Sequence, residues 1–262
     1  MKRSLHRVEL GGLDVHIPVV DTHPGQSPRL AIVAGLHGDE HAPFWVAQRL
    51  LEGTLAVPTR LVLGANLPAL WAGQRLGPMD RVDQNRIAHL NGTGLPTVRL
   101  AEVVAALVDP AELSVHLHNF ELEAPLVAIE PPGLSAERQR RHDGYLRALQ
   151  PAVVWQVGGS APDRFAWETS FDRLCEARGV DVLAVEMGPL SGDLQGARAA
   201  VRGLRALAAS LAGQGPGQST PLLRGPRHLL RSPDWGLFEP DAPVGARLQA
   251  GDPGDTVSPR GR

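Results

Sequence analysis

An α/β fold is what the sequence predicts: a mixed, largely parallel sheet flanked by helices, with a short C-terminal β-rich segment. Two observations carry this. Short runs rich in Val, Leu and Ile alternate with longer stretches of helical spacing, and the crossovers between runs are long enough for parallel pairing. The length of 262 residues and the apolar fraction of 43% suffice for one large domain with a small appendage.

In chain order, strands are expected at residues 13–20, 30–35, 60–65, 113–118, 126–129, 153–157 and 180–186. Helices are expected at 42–51, where Pro43 suits the first turn, and at 97–107, 136–149, 168–178 and 192–211. The run Ala212-Gly213-Gln214-Gly215-Pro216-Gly217-Gln218-Ser219 breaks the composition and reads as a linker. It sets a main domain at 1–212 and a linker with a short β segment at 213–262. In that segment Trp235-Gly236-Leu237-Phe238-Glu239-Pro240 and the stretch from Val244 to Asp252 carry β-like and turn-like signals. The last residues, from Ser258, read as a frayed tail.

Composition narrows the function. A formal net charge of −2 gives no electrostatic reason to expect nucleic acid or an anionic membrane as partner. The N-terminus lacks an apolar signal core and no run approaches the ~18 apolar residues of a membrane span, so the chain reads as cytoplasmic. Cys175 is the only cysteine, which excludes an intramolecular disulfide and a multi-cysteine metal site. Lys2 is the only lysine and sits at the terminus, which excludes a P-loop lysine and argues against Schiff-base chemistry.

Chemistry concentrates at strand ends. The apolar run Leu30-Ala31-Ile32-Val33-Ala34 stops at Gly35 and is followed by His37 and Glu40, three residues apart at the mouth of a helix. Side chains so spaced can converge on one ion, and Gly35 and Gly38 let the backbone turn beside it. Alone the pair is equally compatible with a surface loop feeding a helix. In Ser114-Val115-His116-Leu117-His118, residues two apart share a strand face, so His116 and His118 point the same way. One could bind metal with the other behind it, or both could face solvent. Glu186 closes the apolar run Val182-Leu183-Ala184-Val185, where a carboxylate is either paired or functional and suits a general base. Asn66, Arg75 and Asp83-Gln84-Asn85-Arg86 add amides and guanidinium groups able to clamp a carboxylate.

Taken in order, Gly35-Leu36-His37-Gly38-Asp39-Glu40, Asn66 with Arg75, Asp83-Gln84-Asn85-Arg86, Leu117-His118 and Val185-Glu186-Met187-Gly188 resemble the succinylglutamate desuccinylase/aspartoacylase family. This is an acylase branch of the zinc carboxypeptidase-like fold. The resemblance runs from near Val8 to near Gly188, and more faintly to Gly251. It implies that 1–212 is a zinc-hydrolase catalytic domain, with one Zn2+ held by His37, Glu40 and His118. It further implies Glu186 as general base and acid, Arg75 as the group polarising the scissile carbonyl, Asn85 and Arg86 as the carboxylate clamp, and Asp83 as a partner behind the ligands. The implied reaction is hydrolysis of a small N-acyl amino acid or related carboxylate-bearing amide.

Three departures stand out. His116 occupies a position where the family usually has Asp, so it either lies behind the ligands or offers a further nitrogen. The Arg75–Asn85 spacing is longer, which makes Arg81 a rival of Arg75. The C-terminal β module that the family carries is expected to be shorter here. A metallocarboxypeptidase acting on a peptide would need the same residues, and a metal-binding relative without activity is the third reading.

Overall fold

The computed structural model describes residues 1–90, 92–121, 123–158, 161–191, 194–215, 222–226, 237–240 and 255–258. Its elements in order are β1 (Lys2–Leu10), β2 (Leu13–Asp21), β3 (Leu30–Ala34), α1 (Ala42–Leu51), β4 (Thr59–Leu63) and α2 (Leu67–Ala72). A 3-10 turn at Ala88–Leu90 precedes α3 (Pro96–Val108), β5 (Leu113–Asn119), β6 (Val127–Glu130), α4 (Ala136–Leu149) and β7 (Val153–Gln156). Then come α5 (Ala161–Glu168), α6 (Phe171–Glu176), β8 (Asp181–Met187), α7 (Gln195–Leu211), β9 (Arg224–Pro226), β10 (Leu237–Pro240) and β11 (Asp255–Ser258).

The first nine strands form one sheet in the order β1-β2-β4-β3-β5-β8-β6-β7-β9. Pairing is parallel except at β1/β2, β2/β4 and β6/β8, so the α/β, largely parallel expectation holds. β3 is buried at every position because helices cover both faces of the sheet. On one face α1, α4 and α7 pack over Ile32, Val115, Leu117, Leu183 and Val185. On the other, α3 and α6 cover Ala31, Val33, Val62 and Val182. α7 reaches the sheet with a stripe of small and branched residues, Ala197, Ala200, Val201, Leu204 and Leu207, spaced by three and four. Cys175 is part of this core; burial pushes its thiol well above the ordinary range, which fits a structural residue. Among the described residues no helix is long and apolar enough to cross a membrane.

Three local outcomes differ from expectation. β1 forms although Lys-Arg-Ser-Leu-His-Arg-Val-Glu-Leu has little apolar character, because as an edge strand it buries only Val8 and Leu10. The helix expected at 168–178 is shorter, α6 starting at Phe171 where Ser170 caps it by accepting from Arg173 N–H at 3.1 Å, while a separate α5 ends at Glu168. β9 follows the glycine-rich stretch yet pairs with β7 in the main sheet. The compact unit accordingly spans Met1–Pro226. A second unit, Arg227–Arg262, contains the antiparallel pair β10/β11. The segment from Val244 to Asp252, most of the linker beyond Gly215 and the tail beyond Ser258 lie outside the described residues.

Candidate metal centre

The C-terminal ends of β3, β5 and β8 lie side by side, with Ala34 paired to Leu117 and His118 paired to Glu186. Each strand delivers a site residue there. His37 and Glu40 sit in the loop between β3 and α1. Gly35 needs its positive φ of 81° to start that loop, whereas Gly38 is demanded by close approach: a Cβ there would lie 2.1 Å from the Ala69 carbonyl on α2. The loop is tied down by Gly38 N–H donating to Gln74 O at 3.1 Å.

His37, Glu40 and His118 are all buried and place their ligand atoms within 4.8 Å of one another. The Glu40 carboxylate faces both imidazoles: Oε1 lies 2.6 Å from His37 Nδ1 and Oε2 lies 3.0 Å from His118 Nδ1. Burial alone would raise the Glu40 carboxyl, but the two imidazoles hold it well below the usual range. Burial likewise disfavours a charged His118, yet Glu40 overrides this and lifts it to about 9. Two ring nitrogens and a carboxylate converging at a buried position make a donor set suited to a divalent metal. His118 Nε2, buried and without a hydrogen-bond partner among the described residues, is part of the same cluster.

Asp83 backs the cluster. Its Oδ1 lies 3.0 Å from His37 Nε2 and accepts from Asn85 N–H at 2.8 Å, while Oδ2 accepts from Arg75 Nε–H at 3.0 Å. A ring nitrogen held in this way fixes how its other nitrogen is presented. Desolvation opposes the Asp83 charge, but the His37 and Arg75 partners hold the carboxyl well below its ordinary range. Arg75 also brings Nη1 to 3.7 Å from Glu40 Oε1, so Arg75 rather than Arg81 makes contact with the cluster. Arg81 is exposed, with φ of 59°.

Glu186, the register neighbour of His118, is pushed by burial up to about 7, with Glu40 adding in the same direction against His118 and His37. Asn85 accepts from Phe171 N–H at 3.0 Å through Oδ1, and Arg86 donates to the Asn85 carbonyl at 2.5 Å. Asn66 is not part of a clamp: its Oδ1 caps α2 by accepting from Ala69 N–H at 3.3 Å. Gln84 anchors the loop by donating to Ala65 O at 3.0 Å.

His116 is neither a ligand nor solvent-facing. It is fully buried, with Nδ1 2.6 Å from Asp172 Oδ1 and Nε2 2.9 Å from Ser114 Oγ, so neither nitrogen is free for an ion. Two participants escaped the sequence reading. Asn119 donates its N–H to Glu40 Oε2 at 3.2 Å and accepts from Ala42 N–H at 3.1 Å, fastening Glu40 to α1; adjacency to His118 was the signal available. Asp172 pairs with His116 across 56 positions, and nothing local in the sequence marks it.

Comparisons with known proteins bear on the family and the fold. Residues 26–211 match the family described as Succinylglutamate desuccinylase/Aspartoacylase catalytic domain. A curated relative, the N-alpha-acetyl-L-2,4-diaminobutyric acid deacetylase of Halomonas elongata, is 27% identical over 182 residues, covering 66% of this chain. The chain matches only 52% of that relative's length. An aspartoacylase family protein from Mesorhizobium loti superposes with a TM-score of 0.80 at 22% identity, over 100% of this chain and 82% of that one. A metallo-carboxypeptidase from Burkholderia cenocepacia does so with a TM-score of 0.56 at 15% identity, over 79% and 64%. At such identities the structural likenesses speak to the fold, which is carboxypeptidase-like. On the match across most of its length, the chain belongs to the succinylglutamate desuccinylase/aspartoacylase family.

Proposed function

We propose that the chain is a zinc-dependent deacylase that hydrolyses the amide bond of a small N-acyl amino acid or a related carboxylate-bearing amide. The observation that carries this reading is the buried His37–Glu40–His118 triple beside Glu186, which makes no side-chain hydrogen bond to a described residue and is shifted upward by burial. Membership of a family of acylases, and the deacetylase activity printed for the Halomonas relative, support the reaction class. His37, Glu40 and His118 would hold the ion, which when bound supplies a Lewis acid for the scissile carbonyl and acidifies water.

The remaining roles belong to the chain. Glu186, poised near neutrality, takes a proton from the attacking water and returns it to the nitrogen of the departing amine, so the proton count closes within one residue. Arg75, held by Asp83 and half exposed, faces the carbonyl oxygen as negative charge develops on it. Asn85 and Arg86 bind the substrate carboxylate, Arg86 being without a carboxylate partner among the described residues. The test is metal analysis of the purified protein, followed by assay of wild type and Glu186→Ala against a panel of N-acyl amino acids. Absence of bound zinc together with absence of Glu186-dependent turnover would overturn the proposal.

A further inference from the structure

Behind the metal cluster runs a second buried polar line whose central members, His116 and Asp172, have no role in the reaction proposed above. It begins on β5, where Ser114, His116 and His118 alternate onto the face covered by α6. His116 bridges Ser114 Oγ and the Asp172 carboxylate, and its ring lies against Phe171 with centroids 5.0 Å apart and planes tilted by 49°. Phe171 and Asp172 are the first two residues of α6, both buried, and Ser170 caps the same turn. The Phe171 N–H then donates to Asn85 Oδ1, and the Asn85 N–H to Asp83 Oδ1.

One consequence concerns Asn85. Its amide has two faces, an acceptor and a donor, and only one of them suits a carboxylate ligand. Because Oδ1 is taken by Phe171 N–H, the amide cannot flip without leaving that donor facing Nδ2. Nδ2 is therefore the group left to offer, and it has no protein partner among the described residues. It stands next in sequence to the Arg86 guanidinium, giving adjacent donors where an anionic ligand is expected.

We propose that the buried His116–Asp172 pair is a positioning device: it locks the start of α6 onto β5, so that Phe171 N–H holds Asn85 with its amide donor turned toward the substrate carboxylate. The substrate in this statement rests on the deacylase reading, but the anchor itself does not. No hydrogen bond joins His116 or Asp172 to His37, Glu40 or His118, although the Asp172 charge acts on His118; their link to the clamp runs through Phe171 and Asn85. The pair has the geometry for this, because a short contact between two buried groups permits little displacement of the helix start.

The experiment compares wild type, His116→Leu, the milder Asp172→Asn, Asn85→Ala and the double variant His116→Leu/Asn85→Ala, each checked for folding and metal content. His116→Leu is expected to raise KM about tenfold while kcat stays within about threefold, since a misplaced clamp weakens binding without touching the reacting atoms. Asp172→Asn, which keeps a hydrogen-bonding group at the same place, should fold if His116→Leu does not, and should shift KM the same way by less. In the Asn85→Ala background the His116→Leu effect on KM should vanish, because the residue acted upon is gone. Amide hydrogen exchange supplies the readout independent of turnover: protection of Phe171 N–H should fall selectively in the His116 and Asp172 variants. A wild type inactive on every substrate would remove the deacylase reading and leave the anchor to be judged on exchange alone. Unchanged Phe171 protection, an undiminished KM effect in the Asn85→Ala background, or loss of metal with KM constant would each overturn the proposal.

Discussion

His142 offers a stability test whose magnitude follows from its surroundings. It lies on the inner face of α4, fully buried, and neither ring nitrogen has a hydrogen-bond partner among the described residues. Nε2 is 4.0 Å from Asp181 Oδ1, too far for a hydrogen bond, while Arg138 and Arg141 engage that carboxylate and face His142 as like charges. Asp143 and the tilted Tyr145 ring complete its neighbours. Burial pushes the imidazole down to about 4, the two arginines acting in the same direction against Asp181 and Asp143. The folded pKa is depressed, so the unfolded chain binds the proton first: stability is intact above about 6.5 and is lost as pH falls toward 4. Integrating between a folded value near 4 and an ordinary value near 6.5, the loss from pH 7 to pH 5 is about 2 kcal/mol from this residue. His142→Leu removes the titrating group and both orphaned nitrogens at similar volume. Urea unfolding of both proteins at pH 7, 6 and 5 isolates the effect, since groups elsewhere titrate alike and cancel. The variant should lose about 2 kcal/mol less than wild type across that range. Parallel stability-versus-pH curves would refute the reasoning.

Three further outcomes are expected at the site. Asp83→Asn keeps an acceptor for His37 and Asn85 but turns an amide toward Arg75 Nε–H, so metal affinity should fall roughly 10–100-fold, read by competition with a chelating dye; unaltered affinity would show that Asp83 does not orient His37. Gly38→Ala drives a methyl group to 2.1 Å from the Ala69 backbone, so the loop must shift; unfolding free energy should drop by about 1–3 kcal/mol with a parallel loss of metal, and a variant equal to wild type in both would contradict the close approach. Glu186→Gln should retain metal yet lower kcat by about 10²–10⁴-fold, and turnover near the wild-type rate would remove Glu186 from proton transfer.

What could be read in the sequence was whatever is local. α1 and α4 begin and end where their spacing predicts, with Pro43 marking the first start; the Ser135 cap of α4 emerges only in the structure. His37, Glu40 and His118 announce themselves at the ends of apolar runs, since polar residues interrupting a buried strand need a reason. β1 was invisible because an edge strand needs only alternate burial of two residues. The fate of His116 was undecidable for a different reason: Asp172, which settles it, arrives from a helix 56 positions away and is brought near only by the β5/β8 pairing and the packing of α6.

Burial acts on four carboxylates around this site and produces opposite results, and the difference explains how the roles divide. Desolvation opposes the charge on Glu40, Asp83 and Asp172 as it does on Glu186. Glu40, Asp83 and Asp172 each face an imidazole at hydrogen-bonding distance, and all three carboxyls end below their ordinary range. They are fixed anions, suited to hold a cation or to orient the rings that do. Glu186 makes no side-chain hydrogen bond to a described residue and has the Glu40 charge nearby, so it alone moves upward. A carboxyl held near neutrality can gain and lose a proton within one cycle, which a fixed anion cannot. The same strand pairing that sets His118 beside Glu186 thus sets a group suited to hold a cation beside one suited to exchange a proton, as the proposed deacylase reaction requires.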